Sequence, residues 1–256
     1  MDDPGMDLSY ATLKARQRAE RDGYSPSVAL RTHRALSWLN RAEQEPDDQD
    51  ARFIFLWIAF NAAYAYDVSI NHRFSEKRLH VGFLNRLIAS DRDELLYHTV
   101  WEQFPNSIRS LLNNKYIYQP FWDFHSGADP DNGWELRFEH DTRAVQRALG
   151  RMDTRKILAV LFERLYVLRN QLVHGGCTWN SRVNRAQIRD GASIMGRLVP
   201  IIIHLMMCDS KALWGDLCYR NGAQRNCRPV QRLVMCASDN ATLPDLGLDE
   251  RLTRPE

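Results

Sequence analysis

The side chains best suited to chemistry in this chain lie in one short stretch, Arg169-Asn170-Gln171-Leu172-Val173-His174. An unperturbed histidine titrates at about pH 6.5, so it can serve as general base or general acid near neutrality. Arginine carries a planar fork of donors suited to phosphate. The two residues are five apart, about 140° around an ideal helix, so a single straight helix cannot aim both at one atom. A loosened last turn would remove that obstacle, and the following Gly175-Gly176 makes loosening natural. Two copies of the helix meeting across a dimer axis would also remove it, each site then drawing on both chains. The plainer account is that both cations favour the negative end of a helix dipole and bond its unsatisfied carbonyls.

The element that must position these residues is a helix from about Asp153 to His174. On a wheel with Glu163 at zero, Ile157, Leu158, Leu161, Leu165, Leu168 and Leu172 gather on the opposite side as the core stripe. Phe162, Tyr166 and Val173 fill a second flank, with Arg169 at its border. Glu163, Asn170 and His174 share a narrow polar wedge about 40° wide. Asn170 sits one turn before His174 and can bond it or a substrate. Glu163 could orient a histidine of either copy. Asn61, a lone amide on an apolar helix, needs a partner and is a further candidate.

The rest of the chain predicts an all-α fold. A polar, basic helix spans 7–21 within an N-terminal segment 1–25, its Lys14, Arg16, Arg18 and Arg21 forming a solvated face or touching phosphate. Ser25-Pro26 opens a second helix running to Glu45-Pro46. Asp47-Asp48-Gln49-Asp50 caps a third, from about Ala51 to Tyr66, apolar nearly all round and therefore expected in the middle of the fold. Residues 70–150 are expected to be an insertion into a helical domain spanning 26–208. Within it, His80–Ala89, Asp93–Phe104 and Asn106–Asn113 have helical pattern. An aromatic run, Tyr116 to Phe124, then leads to a loop built on Gly127, Asp129-Pro130 and Gly133. The aromatic run either packs the insertion or stacks unpaired bases. A last helix covers about Asn184 to Met207, and the tail 209–256 has no assignable structure.

Other chemistries find little support. The net charge of +2 announces no global basic field. Of the 34 basic residues 29 are Arg, a bias that suits phosphate but also follows from GC-rich coding. Cys177, Cys208, Cys218, Cys227 and Cys236 match no zinc spacing, so neither a metal site, a cofactor nor a disulfide is expected. Cys177 follows the glycine turn near His174, but no third group orients such a pair. Glu139-His140-Asp141 cannot converge on one metal if helical. No phosphate-binding glycine loop and no H-E-x-x-H is present. The N-terminus has no signal-peptide core, and Ile194–Cys208 reads as a buried helix rather than a membrane span, so a cytoplasmic location is expected.

The string Arg169-Asn170-x-x-x-His174 near the end of a core helix resembles the R-x4-6-H motif of the HEPN superfamily, and the polar residue after the Arg is typical of it. The helix order fits over 26–70 and 150–208. Gly175-Gly176 and the large insertion are similar to the Apea-like branch. A variant with tyrosine two residues after the His is absent, since Gly176 stands there. The resemblance implies a HEPN-type helical bundle and a metal-independent endoribonuclease working as a homodimer, with His174 transferring protons and Arg169 clamping phosphate. It further implies a toxin or antiviral-defence role on structured RNA such as tRNA, with an antitoxin or defence-complex partner. The alternative within the superfamily is a non-catalytic module that binds RNA, nucleotides or proteins.

Overall fold

Several helices begin where a side chain satisfies a free amide. In the computed structural model, which describes residues 6–64, 73–211 and 214 (73–81 by backbone alone), all regular structure is helical. Ser9 accepts from the Thr12 amide to open α1 (Tyr10–Glu20), which ends in a 3-10 turn at Arg21–Gly23. Ser25 accepts from Val28, with Pro26 in the first turn, to open α2 (Pro26–Glu43). The Asp48 carboxylate takes the Ala51 amide at 3.0 Å as α3 (Gln49–Tyr64) starts. Then follow α4 (Arg73–Ser90), α5 (Leu95–His98) with a π turn at Thr99–Gln103, and α6 (Pro105–Leu112). A 3-10 turn at Lys115–Ile117 leads to α7 (Gln119–His125), α8 (Trp134–Gly150), α9 (Thr154–Val173) and α10 (Arg185–Cys208). The helix expected at 93–104 begins later, because the Asp91 carboxylate caps the amides of Leu95 and Leu96 at 2.9 and 2.8 Å.

The most enclosed element is α10, not the aromatic α3. Ile194, Met195, Leu198 and the run Val199 to Met207 are all buried, against α2 and α3 on one side and α4 and α9 on another. By contrast α3 leaves Ile54, Phe55 and Ile58 half-buried, with Phe55 stacked on Trp38 at 5.9 Å. By length and composition α10 could cross a membrane, yet 78% of its most apolar window is buried inside the protein, as a core helix requires. The expected 70–150 insertion shares this core: Phe83, Leu84, Leu87, Leu96, Ile108, Leu111 and Val145 join the same apolar cluster as α9 and α10. Tyr118, Phe121 and Trp134 form a small second cluster with Phe138 packed on it.

Polar contacts pin the outer helices. Arg31, buried on α2, donates to the Ala63 carbonyl at the end of α3 (2.8 Å). Arg16 of α1 donates to Nδ1 of His204 at 3.0 Å and lies 3.6 Å from the Cys208 sulfur. Burial, helped by the Arg16 charge, lowers the pKa of His204, whose Nε2 lies 3.4 Å from the Cys208 sulfur. Trp214 is buried against Phe83 (5.7 Å). The N-terminal Met1–Gly5, the continuation of the third helix to Tyr66, and the tail with Cys218, Cys227 and Cys236 lie outside the described residues.

Candidate active site

Helix α9 is held along its whole length. Asp153 accepts from the Lys156 amide at 3.0 Å to start it, and the Trp101 indole donates to Thr154 Oγ1 at 2.8 Å. Ile157, Leu158, Leu161, Leu165 and Leu168 are fully buried, as the wheel requires, and Leu172 is half-buried against the core. The second flank differs from expectation. Phe162 is buried, but Tyr166 and Val173 are 43% and 51% exposed. On that side the Trp57 ring lies 6.1 Å from Tyr166.

The end of α9 is a sharp stop rather than a frayed turn. His174 has left helical geometry (φ −94°, ψ 10°), and its amide still bonds the Asn170 carbonyl at 2.9 Å. Gly176 donates to the Gln171 carbonyl at 2.8 Å and Gly175 to Leu172 at 3.4 Å, the paired bonds of a Schellman cap. Gly175 stands at φ +71°, where a Cβ is strained, and a Cβ on Gly176 would come within 3.2 Å of the Gln171 oxygen. Gly175→Ala should therefore cost about 1–2 kcal/mol in urea unfolding. Gly175→Asn should recover part of that loss. Equal stability of wild type and Gly175→Ala would show that the cap does not set the end of the helix.

The motif side chains are brought together only in part. The Arg169 guanidinium is half-buried and donates through Nη1 to Asn170 Oδ1 at 2.8 Å. Asn170 therefore orients the arginine rather than the histidine. The His174 ring is exposed, one turn beyond Asn170. Glu163 is exposed on the same strip but eleven residues earlier, about 16 Å along the helix axis. It cannot touch the His174 of its own chain. Asn61 is half-buried on α3, which runs antiparallel to α9: Trp57 meets Tyr166 and Phe60 meets Phe162. That register carries Asn61 away from His174, level with the middle of α9. The Cys177 thiol lies 3.9 Å from the Gln171 carbonyl as part of the cap.

Side chains to which sequence reasoning gave no role surround the motif helix. Arg164 is buried on α9, its guanidinium 4.4 Å over the Tyr118 ring and its charge disfavoured by burial. Burial, together with the hydrogen bond to Asp141 (2.9 Å), raises the Tyr118 hydroxyl well above the ordinary tyrosine range. An arginine amid Leu161, Phe162 and Leu165 was the available signal. Gln171 donates to the Tyr116 carbonyl at 2.6 Å, and the Trp122 indole donates to the same oxygen at 2.8 Å. Arg164 and Gln171, seven apart and so on one face of α9, are the rails on which the aromatic segment lies. After the cap, Trp179 donates to Asp48 at 3.0 Å and Arg185 pairs with Asp50 at 2.6 Å, tying the turn between α9 and α10 to the start of α3.

A cleft of about 390 Å³, lined by Asp7, Ser9, Glu43, Arg197 and Pro200 among others, contains none of the motif residues. Among the described residues no three His, Cys, Asp or Glu side chains converge as a metal site would require. Comparison with family models, with curated proteins and with solved structures finds no match for this chain.

Proposed function

We propose that this chain is a HEPN-type endoribonuclease that cleaves RNA without a metal, by attack of a 2′-hydroxyl on the neighbouring phosphate, and that it works in the cytoplasm as a homodimer. The observation that carries this reading is the half-buried Arg169, oriented by Asn170, one and a half turns before an exposed His174 at a rigidly capped helix end. Arg169 would hold the phosphate and offset the charge that grows on its non-bridging oxygens. His174 would take the 2′-hydroxyl proton or give one to the departing 5′-oxygen.

Transesterification needs both a base and an acid, and each chain offers one histidine here. Two copies of α9 related by a two-fold axis would supply two. The exposed Tyr166 and Val173 on that helix are apolar surface that a second copy would cover. The two-fold axis must then pass near His174, because a pairing that set Glu163 of one copy opposite His174 of the other would part the two histidines by about 16 Å along the helix axis. By the resemblance, the substrates would be structured RNAs such as tRNA, and the setting toxin or antiviral defence with an antitoxin or complex partner.

The test is incubation of the purified protein with total tRNA and with a mixed-sequence RNA in EDTA, with the mass in solution measured alongside. The expected products end in 2′,3′-cyclic phosphate and 5′-hydroxyl, and the expected mass is that of a dimer. A monomer that cuts neither RNA would favour the non-catalytic binding module.

A further inference from the structure

Resting on the reading that Arg169 and His174 act on RNA, we propose that the rings of Tyr116 and Trp122 form a stacking platform for unpaired nucleotides beside the scissile phosphate. The substrate is then a single-stranded or looped RNA segment, not a regular duplex. The aromatic run divides into two sets. Ile117, Tyr118 and Phe121 are buried and account for the packing of this region, whereas Tyr116 (54%), Trp122 (38%) and Phe124 (39%) remain exposed. Packing does not explain why three large rings in nine residues stay at the surface.

Their position carries the argument further. Gln171 and Trp122 converge as donors on one oxygen, the Tyr116 carbonyl. Gln171 lies three residues before His174, so the two are surface neighbours on the helix end. The backbone that carries these rings is therefore fixed to the helix end that carries the exposed histidine. Lys115 holds its ammonium over the Tyr116 ring, 5.3 Å from its centroid, and 5.9 Å from that of Trp134, adding a cation to the platform. Rings for base faces, with Lys115 and Arg169 for phosphates, match a strand whose bases are free to stack. In a duplex those faces are already occupied by neighbouring pairs.

The test uses the full-length His174→Ala protein in EDTA, so that binding is read without turnover, with a fluorescent unstructured RNA and a fully paired RNA of the same length. The unpaired RNA should bind the more tightly. Adding Tyr116→Ala should weaken that binding roughly 5- to 100-fold and leave the duplex affinity unchanged. Because Gln171 and Trp122 bond the backbone carbonyl of residue 116, this substitution removes the ring and keeps the local architecture, and Tyr116→Phe should retain affinity. Equal binding of the two RNAs, no binding of either, or no effect of Tyr116→Ala overturns the platform. If the wild type cuts RNA and Tyr116→Ala changes neither binding nor cutting, the nuclease reading stands and the rings are left to a protein partner. If the wild type cuts nothing while unpaired RNA binds through Tyr116, the platform stands and the nuclease reading falls.

Discussion

Replacing His174 by alanine should lower the rate of RNA cleavage in EDTA by about 10²- to 10⁴-fold, the range that a positioned acid–base group contributes. Stability should stay within about 0.5 kcal/mol of wild type, because the side chain is exposed and the helix cap is built from the backbone amides of His174, Gly175 and Gly176. The combination separates two accounts of the residue. If His174 only balances the helix dipole, its loss costs a few tenths of a kcal/mol and no activity. If it moves protons in the reaction, activity goes and the fold remains. An His174→Ala protein that is folded and cleaves at the wild-type rate would sink the site assignment.

The second large effect should come from Phe60→Ala, with a loss of about 3–5 kcal/mol in equilibrium unfolding. Phe60 is 1% exposed. Its ring stacks on Phe162 of α9 at 4.5 Å and on Tyr64 at 5.4 Å, and meets Phe83 edge-on at 6.4 Å. Truncation removes a large apolar surface and opens a void between α3 and α9, where rigid helices cannot collapse to fill it. Phe60→Leu should cost clearly less, since most of the volume is kept. A loss below about 1.5 kcal/mol for Phe60→Ala would mean that the layer beneath the motif helix is loosely packed. Partial loss of cleavage at temperatures where Phe60→Ala is still folded would tie that packing to the position of Arg169.

Much of this protein is legible in local pattern. The 3.6-residue spacing of leucines in Ile157–Leu172, the Asp153 cap and the Gly175-Gly176 stop bound α9 to within one residue of its observed ends. Ser25-Pro26 and Asp48 mark the starts of α2 and α3 in the same way. These signals are local because capping bonds and apolar spacing involve residues three or four apart. Two helices were not anticipated, α7 and α8. In Gln119–His125 the rings follow one another too closely to show a helical period, and in α8 the polar run Glu139 to Arg143 interrupts the apolar pattern.

By itself, then, the sequence determined the all-α class, the helix that carries Arg169, Asn170 and His174, and the burial of most of Ile194–Cys208, whose last residue is exposed. Only the tertiary structure decided which side chains meet. Gln171 reaches the Tyr116 carbonyl across 55 residues, Trp179 reaches Asp48 across 131, and Arg16 reaches His204 across 188. It also decided that antiparallel packing of α3 on α9 carries Asn61 away from His174, and that Tyr166 and Val173 stay uncovered. The reason is the range of the forces. Helix formation and capping act over one turn of chain, whereas neighbours across a core follow from how several apolar faces fill one volume together.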